Sequence, residues 1–421
     1  MSNAAHSSRQ ARSALTPGPQ RLTAVHYSPV WLGATETWLH TQFVHLPPEV
    51  ESHVVCLDTA NLDQFQVPRL HVLRERSPLR FLWEKGLWKL RLRNHLNFLV
   101  EQARRYDAKV LHSHFGHVGW WNLGSARRAN LRHVVTFYGH DVTRIPQEIP
   151  RWRRRYTRLF REAALILCEG PHMARSIVGL GCPEEKVRVH HLGIDIGRFP
   201  FRPRFWTGDG PLRVLIAASF REKKGIPYAI RALGILSRHV DLEVTVIGDA
   251  GREPRNREEK KHILAAVSDA GPSSRVRLLG YQPYTSMIEE AYNHHIFLSP
   301  SVTAADGDTE GGAPISIIEM AASGMPVVST THCDIPEVVG SAGAPLLADE
   351  RDVEGLLSRL MWLVDHRSEW ERILEPIRTR VQTEYSAAEQ GKKLGRIYAE
   401  VVDGAADALQ PQLPSKSDGE Q

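Results

Sequence analysis

Cysteine is scarce in this chain of 421 residues: four are present, Cys56, Cys168, Cys182 and Cys333, and no two stand at CxxC spacing. That scatter offers neither a disulfide framework nor a cysteine-based zinc site, and a reducing compartment follows as the expectation. Long apolar runs are missing too. The first twenty residues are polar, with Pro17 and Pro19, and no later stretch approaches a signal-peptide core or a spanning helix. The chain is therefore expected to stay in the cytoplasm, neither exported nor threaded through a bilayer. No recognisable nucleic-acid-binding module accompanies its basic residues, so nucleic acid is not an expected partner.

What is present is the composition of a soluble globular protein, 42% hydrophobic and 24% charged, in a chain long enough for two cores. The net charge of +5 conceals an asymmetry. Residues 1–205 hold 30 Lys+Arg against 16 Asp+Glu, +14, which leaves −9 for the remainder. Two halves of opposite sign imply different partners.

Short runs rich in Val, Ile and Leu recur between longer amphipathic stretches: "LTAVHYS" (22–28), "HVVCLD" (53–58), "KVLHSHF" (109–115), "HVVTFYG" (133–139), "LILCEG" (165–170) and "VRVHHLG" (187–193). After the Pro- and Gly-containing "FRPRFWTGDGP" (201–211), "LRVLIAASF" (212–220), "LEVTVIGDA" (242–250), "RVRLLGY" (275–281), "HIFLSPS" (295–301) and "MPVVSTT" (325–331) resume the rhythm. It is the rhythm of parallel sheets, and two Rossmann-like units joined near residue 205 are the simplest architecture.

Two connections carry chemistry. "SFREKKG" (219–225) offers Arg221, Lys223 and Lys224 beside Gly225 at a strand-to-helix turn, where a lysine can neutralise a diphosphate and a glycine lets backbone come near. "DGDTEGGAPISIIEMAASGMPVVST" (306–330) sets three acids and Gly311-Gly312 before a helix expected to start at Pro314 and stop at Gly324. Glu310 and Glu319, nine apart, cannot be a pair on one helix face; Glu310 belongs to the loop and Glu319 to the helix. The stretch reads as a pocket for something phosphorylated and hydroxylated. Asp306-Gly307-Asp308 invites a metal reading, but loop acids are usually solvated and the lysine already neutralises a diphosphate, so no metal is expected. His112, His114 and His117 are read as packing and pocket lining.

Together with "VTVIGDAG", "LHSHFG", "VVTFYGHDV" and "VRVHHLGIDIGRF", these residues resemble family 4 retaining glycosyltransferases of the group 1 type, over about residues 21–400. The resemblance implies an α/β GT-B fold, two Rossmann-like domains facing each other across a cleft. It divides the chain into a disordered tail (1–20), an acceptor domain (21–205), a nucleotide-sugar donor domain (206–383), a helix packing back on the first domain (384–403) and a disordered tail (404–421).

Position by position, the resemblance gives Lys224 the donor diphosphate, Glu319 the ribose hydroxyls, and Glu310, Gly311 and Gly312 the donor sugar. Gly33 becomes the N-terminal glycine that approaches the diphosphate. Ser219, Arg221, Gly225 and Tyr281 complete the donor side, while Glu36, His114, Tyr138 and Asp141 face the acceptor. Lys224, Glu310 and His140 are the catalytic candidates. Three departures stand out. Ala218-Ser219 replaces the common Gly-Arg, with Arg221 as the substitute; the two glutamates are nine rather than eight apart; and Tyr138-Gly139-His140-Asp141 replaces His-Gly-x-Asp. If 138 and 140 share a strand face, His140 takes the usual histidine's place.

The implied reaction is front-face transfer from a UDP- or GDP-sugar to a glycan or lipid-linked acceptor in cell-surface polysaccharide synthesis, without a cofactor. An epimerase or phosphorylase of similar layout, or a non-catalytic nucleotide-binding scaffold, are the alternatives. A single helix over 84–105, with an apolar stripe at Trp88, Leu92, Leu96, Leu99 and Ala103, and the basic 151–161 segment suggest peripheral contact with an anionic membrane face; the plainer reading is a helix covering its own sheet.

Overall fold

The computed structural model describes residues 21–33, 36–90, 92–271 and 275–404. The expected tails, residues 1–20 and those after Gly404, lie outside the described residues.

The first half is built on β1 (Leu22–Tyr27), the short β2 (Val30–Trp31), β3 (Val50–Cys56), β4 (Asp58–Thr59), β5 (Leu70–Val72), β6 (Val110–His114), β7 (Arg132–Thr136), β8 (Leu165–Cys168) and β9 (Val187–Val189). Seven of these make one parallel sheet in the order β5-β3-β1-β6-β7-β8-β9, while β2 and β4 pair separately. Its helices are α1 (Thr37–Val44), α2 (Leu73–Arg76), α3 (Pro78–Lys89), α4 (Asn97–Arg105), α5 (Gly116–Ala129), α6 (Arg144–Glu148), α7 (Arg151–Glu162) and α8 (Pro171–Gly179). The inner strands are buried on both faces because helices cover both, and where polar residues fall on them, as His26, His112 and His114 do, they bond one another.

The second half repeats the plan with β10 (Leu212–Ala217), β11 (Leu242–Ile247), β12 (Val276–Gly280), β13 (Ile296–Ser299), β14 (Val327–Thr330) and β15 (Leu347–Ala348), ordered β12-β11-β10-β13-β14-β15. Around it lie α9 (Ile226–Leu236), α10 (Pro254–Ala270), α11 (Tyr284–Asn293), α12 (Ile315–Ser323), α13 (Ile335–Gly343), α14 (Val353–Asp365) and α15 (Trp370–Glu384). The last helix, α16 (Ala387–Asp403), returns to the first sheet. Its Leu394, Ile397, Tyr398 and Val401 share a buried cluster with Ala24, Val110, Val134 and Leu167. Where it crosses back, Ile194 donates to the Tyr385 carbonyl and accepts from the Ala387 amide, each at 2.8 Å, so the two interdomain segments are tied together.

Two expectations need correction. The segment 84–105 is not one helix: α3 ends at Lys89 and α4 begins at Asn97, so Leu92 is exposed while Leu96, Leu99 and Ala103 are buried. And β7 stops at Thr136; Gly139 adopts φ +87°, so Tyr138 and His140 lie in a turn and share no strand face. A smaller shift moves Pro314 from first helical residue to N-cap of α12, whose C-cap is Gly324 at φ +83°.

A chain of buried polar groups stitches α16 to the first sheet. Tyr138 Oη bonds His114 Nδ1 (2.7 Å), His114 Nε2 bonds His26 Nδ1 (3.2 Å), and Tyr398 Oη bridges His26 Nε2 (3.3 Å) and His112 Nδ1 (2.6 Å), with Thr136 Oγ1 on His112 Nε2 (2.6 Å). Burial holds all three imidazoles far below their ordinary pKa, hence neutral, and one proton per group satisfies every link. Tyr398→Phe leaves two enclosed ring nitrogens without this partner, and an urea titration should find the first unit about 2 kcal/mol less stable.

Candidate active site

In both sheets the strand order reverses around the first strand of the unit, between β1 and β6 and between β10 and β13. Crevices form outside the carboxyl ends at such points. Both crevices open onto the interface between the units, and the functional candidates fall there.

The turn after β10 places Lys224 and Gly225. Gly225 takes φ +62°, and a Cβ built on it would lie 1.9 Å from the Pro300 carbonyl oxygen, so only glycine fits. The long connection after β13 folds back over this turn. Glu310 accepts from Lys224 Nζ at 2.8 Å and from Ser301 Oγ at 3.0 Å, and Lys223 Nζ donates to the Thr309 carbonyl at 2.6 Å. Burial would raise the Glu310 pKa, but Lys224 and Lys223 overcome it and hold the carboxyl at about 2. Burial in turn lowers Lys224, and Glu310 opposes that shift. This ion pair is the electrostatic centre of the rim.

Glu319 sits one turn into α12, buried, accepting from Tyr284 Oη at 2.5 Å; the Arg198 guanidinium stacks 4.8 Å over the Tyr284 ring. Burial pushes its carboxyl up to about 7, against Tyr284 and Arg198, which lower it. Glu310 and Glu319 thus carry opposite shifts, one locked as an anion and one poised to titrate.

Arg221 pairs with Asp308 and not with Glu310, while its charge still acts on Lys224, His140 and Tyr281. Its guanidinium bonds Asp308 at 2.7 Å and lines a cavity of about 640 Å³ among Lys223, Glu258, Glu259, Asp306 and Asp308. Asp308 is buried between Arg221 and Lys223, not solvated, while Asp306 pairs with Arg255 at 2.5 Å. Ser219 is half-buried at the turn, where its carbonyl accepts from the Arg221 amide at 2.8 Å. Tyr281 follows β12 and is exposed.

On the facing unit, Gly33 follows β2 rather than the first strand, and its amide donates to Glu36 Oε2 at 3.3 Å; burial raises Glu36. Tyr138 packs 4.1 Å from the Trp38 ring. Asp141 is fully buried, with one oxygen on the Gly116 amide (2.6 Å) and the other on the Tyr138 amide (2.9 Å). Asp141 and the enclosed His114 therefore brace Tyr138 instead of presenting their own atoms to the cleft. His140 is half-buried opposite Asp308, Arg221 and Lys223; burial lowers its pKa, with Asp308 opposing.

The two rims touch. A Cβ on Gly311 (φ +81°) would lie 2.3 Å from Gly139 Cα, and one on Gly312 would lie 2.3 Å from Glu169 Oε2. Asp334, just before α13, accepts from the His172 amide at 2.7 Å and so caps α8 from the other unit; its second oxygen has no partner among the described residues. Arg144 reaches Asp306 at 3.6 Å and Arg255 reaches Glu148 at 3.8 Å. The cleft is closed along this seam.

Sequence reasoning missed Tyr284, Glu169, Asp334 and Lys223's role as the tie to Thr309. Tyr284 and Glu169 did carry a signal, since each closely follows a strand's carboxyl end; Asp334 had none, because its partner is 162 residues away. Burial drives the Glu169 carboxyl far up, reinforced by Asp334 and Asp141. As for metal, His26, His112 and His114 are the one group of three or more such side chains among the described residues whose ligand atoms converge, within 4.8 Å. The hydroxyl and ring partners above already occupy those nitrogens.

Known proteins bear on this geometry. Residues 35–198 match the model for "Glycosyltransferase Family 4", and residues 211–366 that for "Glycosyl transferases group 1". The amylovoran biosynthesis glycosyltransferase AmsK of Erwinia amylovora is 30% identical over 291 residues, 68% of this chain and 69% of that protein. A putative colanic acid biosynthesis glycosyltransferase, WcaL of Escherichia coli K12, is 32% identical over 304 residues, 68% of this chain and 71% of that protein. Among solved structures, a glycosyltransferase of Rickettsia africae superposes with a TM-score of 0.69 at 15% identity, covering 91% of this chain and 99% of that one. Anabaena HepE in complex with UDP and glucose gives 0.68 at 14%, covering 90% and 100%. Two parallel α/β units of the GT-B kind, family models across both halves and relatives at this identity agree: the chain belongs to the family 4, group 1 glycosyltransferases.

Proposed function

We propose that the protein is a retaining glycosyltransferase that moves a sugar from a UDP- or GDP-sugar to a glycan or lipid-linked acceptor during exopolysaccharide assembly, at the cytoplasmic face of an anionic membrane. The carrying observation is the pair of carboxyls on the second unit's rim, Glu310 held ionised by Lys224 and Glu319 buried on α12. The names of the relatives support the pathway class, and the UDP and glucose bound by HepE support the donor class.

In this reading Glu319 accepts the ribose hydroxyls, for which an ionised carboxylate's acceptor-only oxygens suit. The Gly311-Gly312 backbone and Glu310 orient the sugar, and Lys224 stabilises the departing diphosphate. The diphosphate oxygen takes the acceptor hydroxyl's proton on the face it leaves, so no protein nucleophile and no metal are required. His140 and Gly33 close the pocket from the other side. No helix among the described residues is long and apolar enough to cross a membrane, and a lipid-linked acceptor must be met at the surface.

The pH dependence of nucleotide binding tests the reading. Ribose hydroxyls need Glu319 ionised, and its carboxyl titrates at about 7 in the unliganded protein. Affinity for the matching nucleoside diphosphate should rise with pH, approaching tenfold per unit below pH 7, and flatten above it. Glu319→Gln should bind weakly at every pH with no such slope. Stability runs the other way: a raised carboxyl pKa gives stability that is present below the ordinary value of 4.5 and lost as pH climbs through about 7. Glu319→Gln should match the wild type near pH 5 and exceed it by about 3 kcal/mol at pH 8. Calorimetric titration with UDP and GDP across pH checks the first claim, and thermal melts the second. A pH-independent affinity would sink the assignment of Glu319, and no binding of either nucleotide would move the chain toward a scaffold.

A further inference from the structure

α3 is anchored by one face only. Phe81 and Glu84 are buried against α4, with Glu84 accepting from the Phe98 amide at 3.3 Å and from Arg80 Nε at 2.7 Å. The opposite face is apolar and open: Leu79 is 81% exposed, Leu82 64% and Trp83 55%, and the stripe runs on through Leu90 at 71%. Positions 79, 82, 83, 86 and 90 follow the spacing of one helical stripe, and a Cβ built on Gly86 would meet nothing within 4 Å. Leu92 adds another outward leucine at 72%. Five of the chain's large exposed apolar side chains therefore crowd into fourteen residues, where scattered single ones are the norm.

Beside this face lies a cavity of about 500 Å³ walled by Trp88, Trp120 and Trp121 and entered by Arg93 and Arg155. The Arg93 guanidinium stacks 4.7 Å over Trp83, and its enclosed Nη1 has no hydrogen-bond partner among the described residues. Arg155 lies 4.5 Å over both Trp120 and Trp152. A guanidinium hydrogen that is enclosed and unbonded calls for an acceptor, and planar forks among tryptophans suit a phosphate at an apolar boundary. On α7, Trp152, Tyr156, Leu159 and Phe160 face inward, while Arg151, Arg153 and Arg154 point outward with no acidic partner among the described residues.

We infer that α3 and this cavity form a docking site for an anionic phospholipid leaflet, the Leu79-Leu82-Trp83-Leu90 stripe entering the acyl boundary and a headgroup phosphate seated between Arg93 and Arg155. The purpose of such docking rests on the proposed function; its geometry does not. Charge complementarity selects the occupant: arginines rim an apolar stripe within the +14 half of the chain, an arrangement suited to lipid and unsuited to a second copy of the same basic face. Ring contacts lead from the cavity to the cleft, through Trp88, Trp121, His117 and Phe115 to Tyr138, at centroid spacings of 4.9, 5.1, 5.8 and 4.9 Å.

Vesicle co-sedimentation of the full chain tests this. The protein should bind phosphatidylglycerol-containing vesicles and not pure phosphatidylcholine. Leu79→Glu/Leu82→Glu and Arg93→Gln/Arg155→Gln should each weaken that binding roughly tenfold or more. The Glu pair replaces exposed side chains, so its melting temperature should stay that of the wild type. Equal binding to both lipids, or undiminished binding by the Glu pair, overturns the inference. So does displacement from vesicles by inorganic phosphate alone, which would make the cavity a free-phosphate site, or a wild-type dimer that the Glu pair dissolves without any vesicle binding. Stabilisation by UDP or GDP is measured on the same samples. Its persistence in a protein that ignores vesicles would remove the docking site alone, and its absence in a protein that binds them would remove the transferase reading alone.

Discussion

Lys224→Ala should slow sugar transfer by about two to three orders of magnitude if the lysine has the role proposed for it, the usual effect of losing one preorganised donor from a site where charge develops. It also lowers stability, for a separate reason. Glu310 and Lys224 form a mostly enclosed ion pair, and removing the lysine strands a carboxylate held at about 2 by that neighbour. Breaking such a pair from one side costs about 3–5 kcal/mol, with Lys223 at 3.9 Å softening the loss. The two effects separate in the double variant Lys224→Ala/Glu310→Gln, which carries no orphaned charge. Its thermal midpoint should recover most of the way to the wild type while its transfer rate stays at the level of Lys224→Ala or lower. Recovery of the rate together with the midpoint would show that Lys224 serves the fold and not the departing diphosphate.

Gly311→Ala should be as damaging to transfer, by a different route. The new methyl would meet the Gly139 backbone at 2.3 Å and the Met173 methyl at 2.9 Å, and the residue would keep a φ of +81°. Backbone cannot rotate out of the way as a side-chain tip can, so the seam between the units has to open. Each unit keeps its own core, and the local strain of an alanine in the left-handed region costs about 1 kcal/mol. Activity has no such cushion under the proposed function, in which the loop of Gly311 on one rim and Tyr138 on the other serve one site. A displacement of about 1 Å between reacting partners is worth about a hundredfold in rate. Small-angle scattering should show a larger radius of gyration with near-normal nucleotide binding and transfer reduced about a hundredfold or more. A variant as compact and as active as the wild type would refute the contact.

Elements were legible where one segment alone decides them. All eleven of the Val-, Ile- and Leu-rich runs named from the sequence contain strands; most are buried on both faces, while the edge strands β9 and β12 are partly exposed and show through their Val and Leu content alone. The short β2, β4, β5 and β15 were not legible; of the strands of two or three residues only β9 was, through the Val-Arg-Val that opens its run. Glu310, Glu319 and Lys224 could be singled out because glycine and proline punctuate their loops. The split between α3 and α4 escaped notice, since the apolar spacing of 84–105 continues across the break. The fates of Arg221, Asp308 and Asp141 were equally hidden: each is settled by a partner that only the folded chain brings near.

The return of α16 to the first unit has a mechanical consequence. The chain crosses between the units twice, and the crossings are bonded to each other where Ile194 meets Tyr385 and Ala387. One connecting strand would permit swivel and twist in any direction. Two that are pinned side by side define a single axle, so the units can swing apart in one plane and must retrace the same arc. Any opening along that arc would bring Gly139 and Gly311 back into register on closing, and a cut in either crossing should leave both units folded while removing the guidance that brings them together.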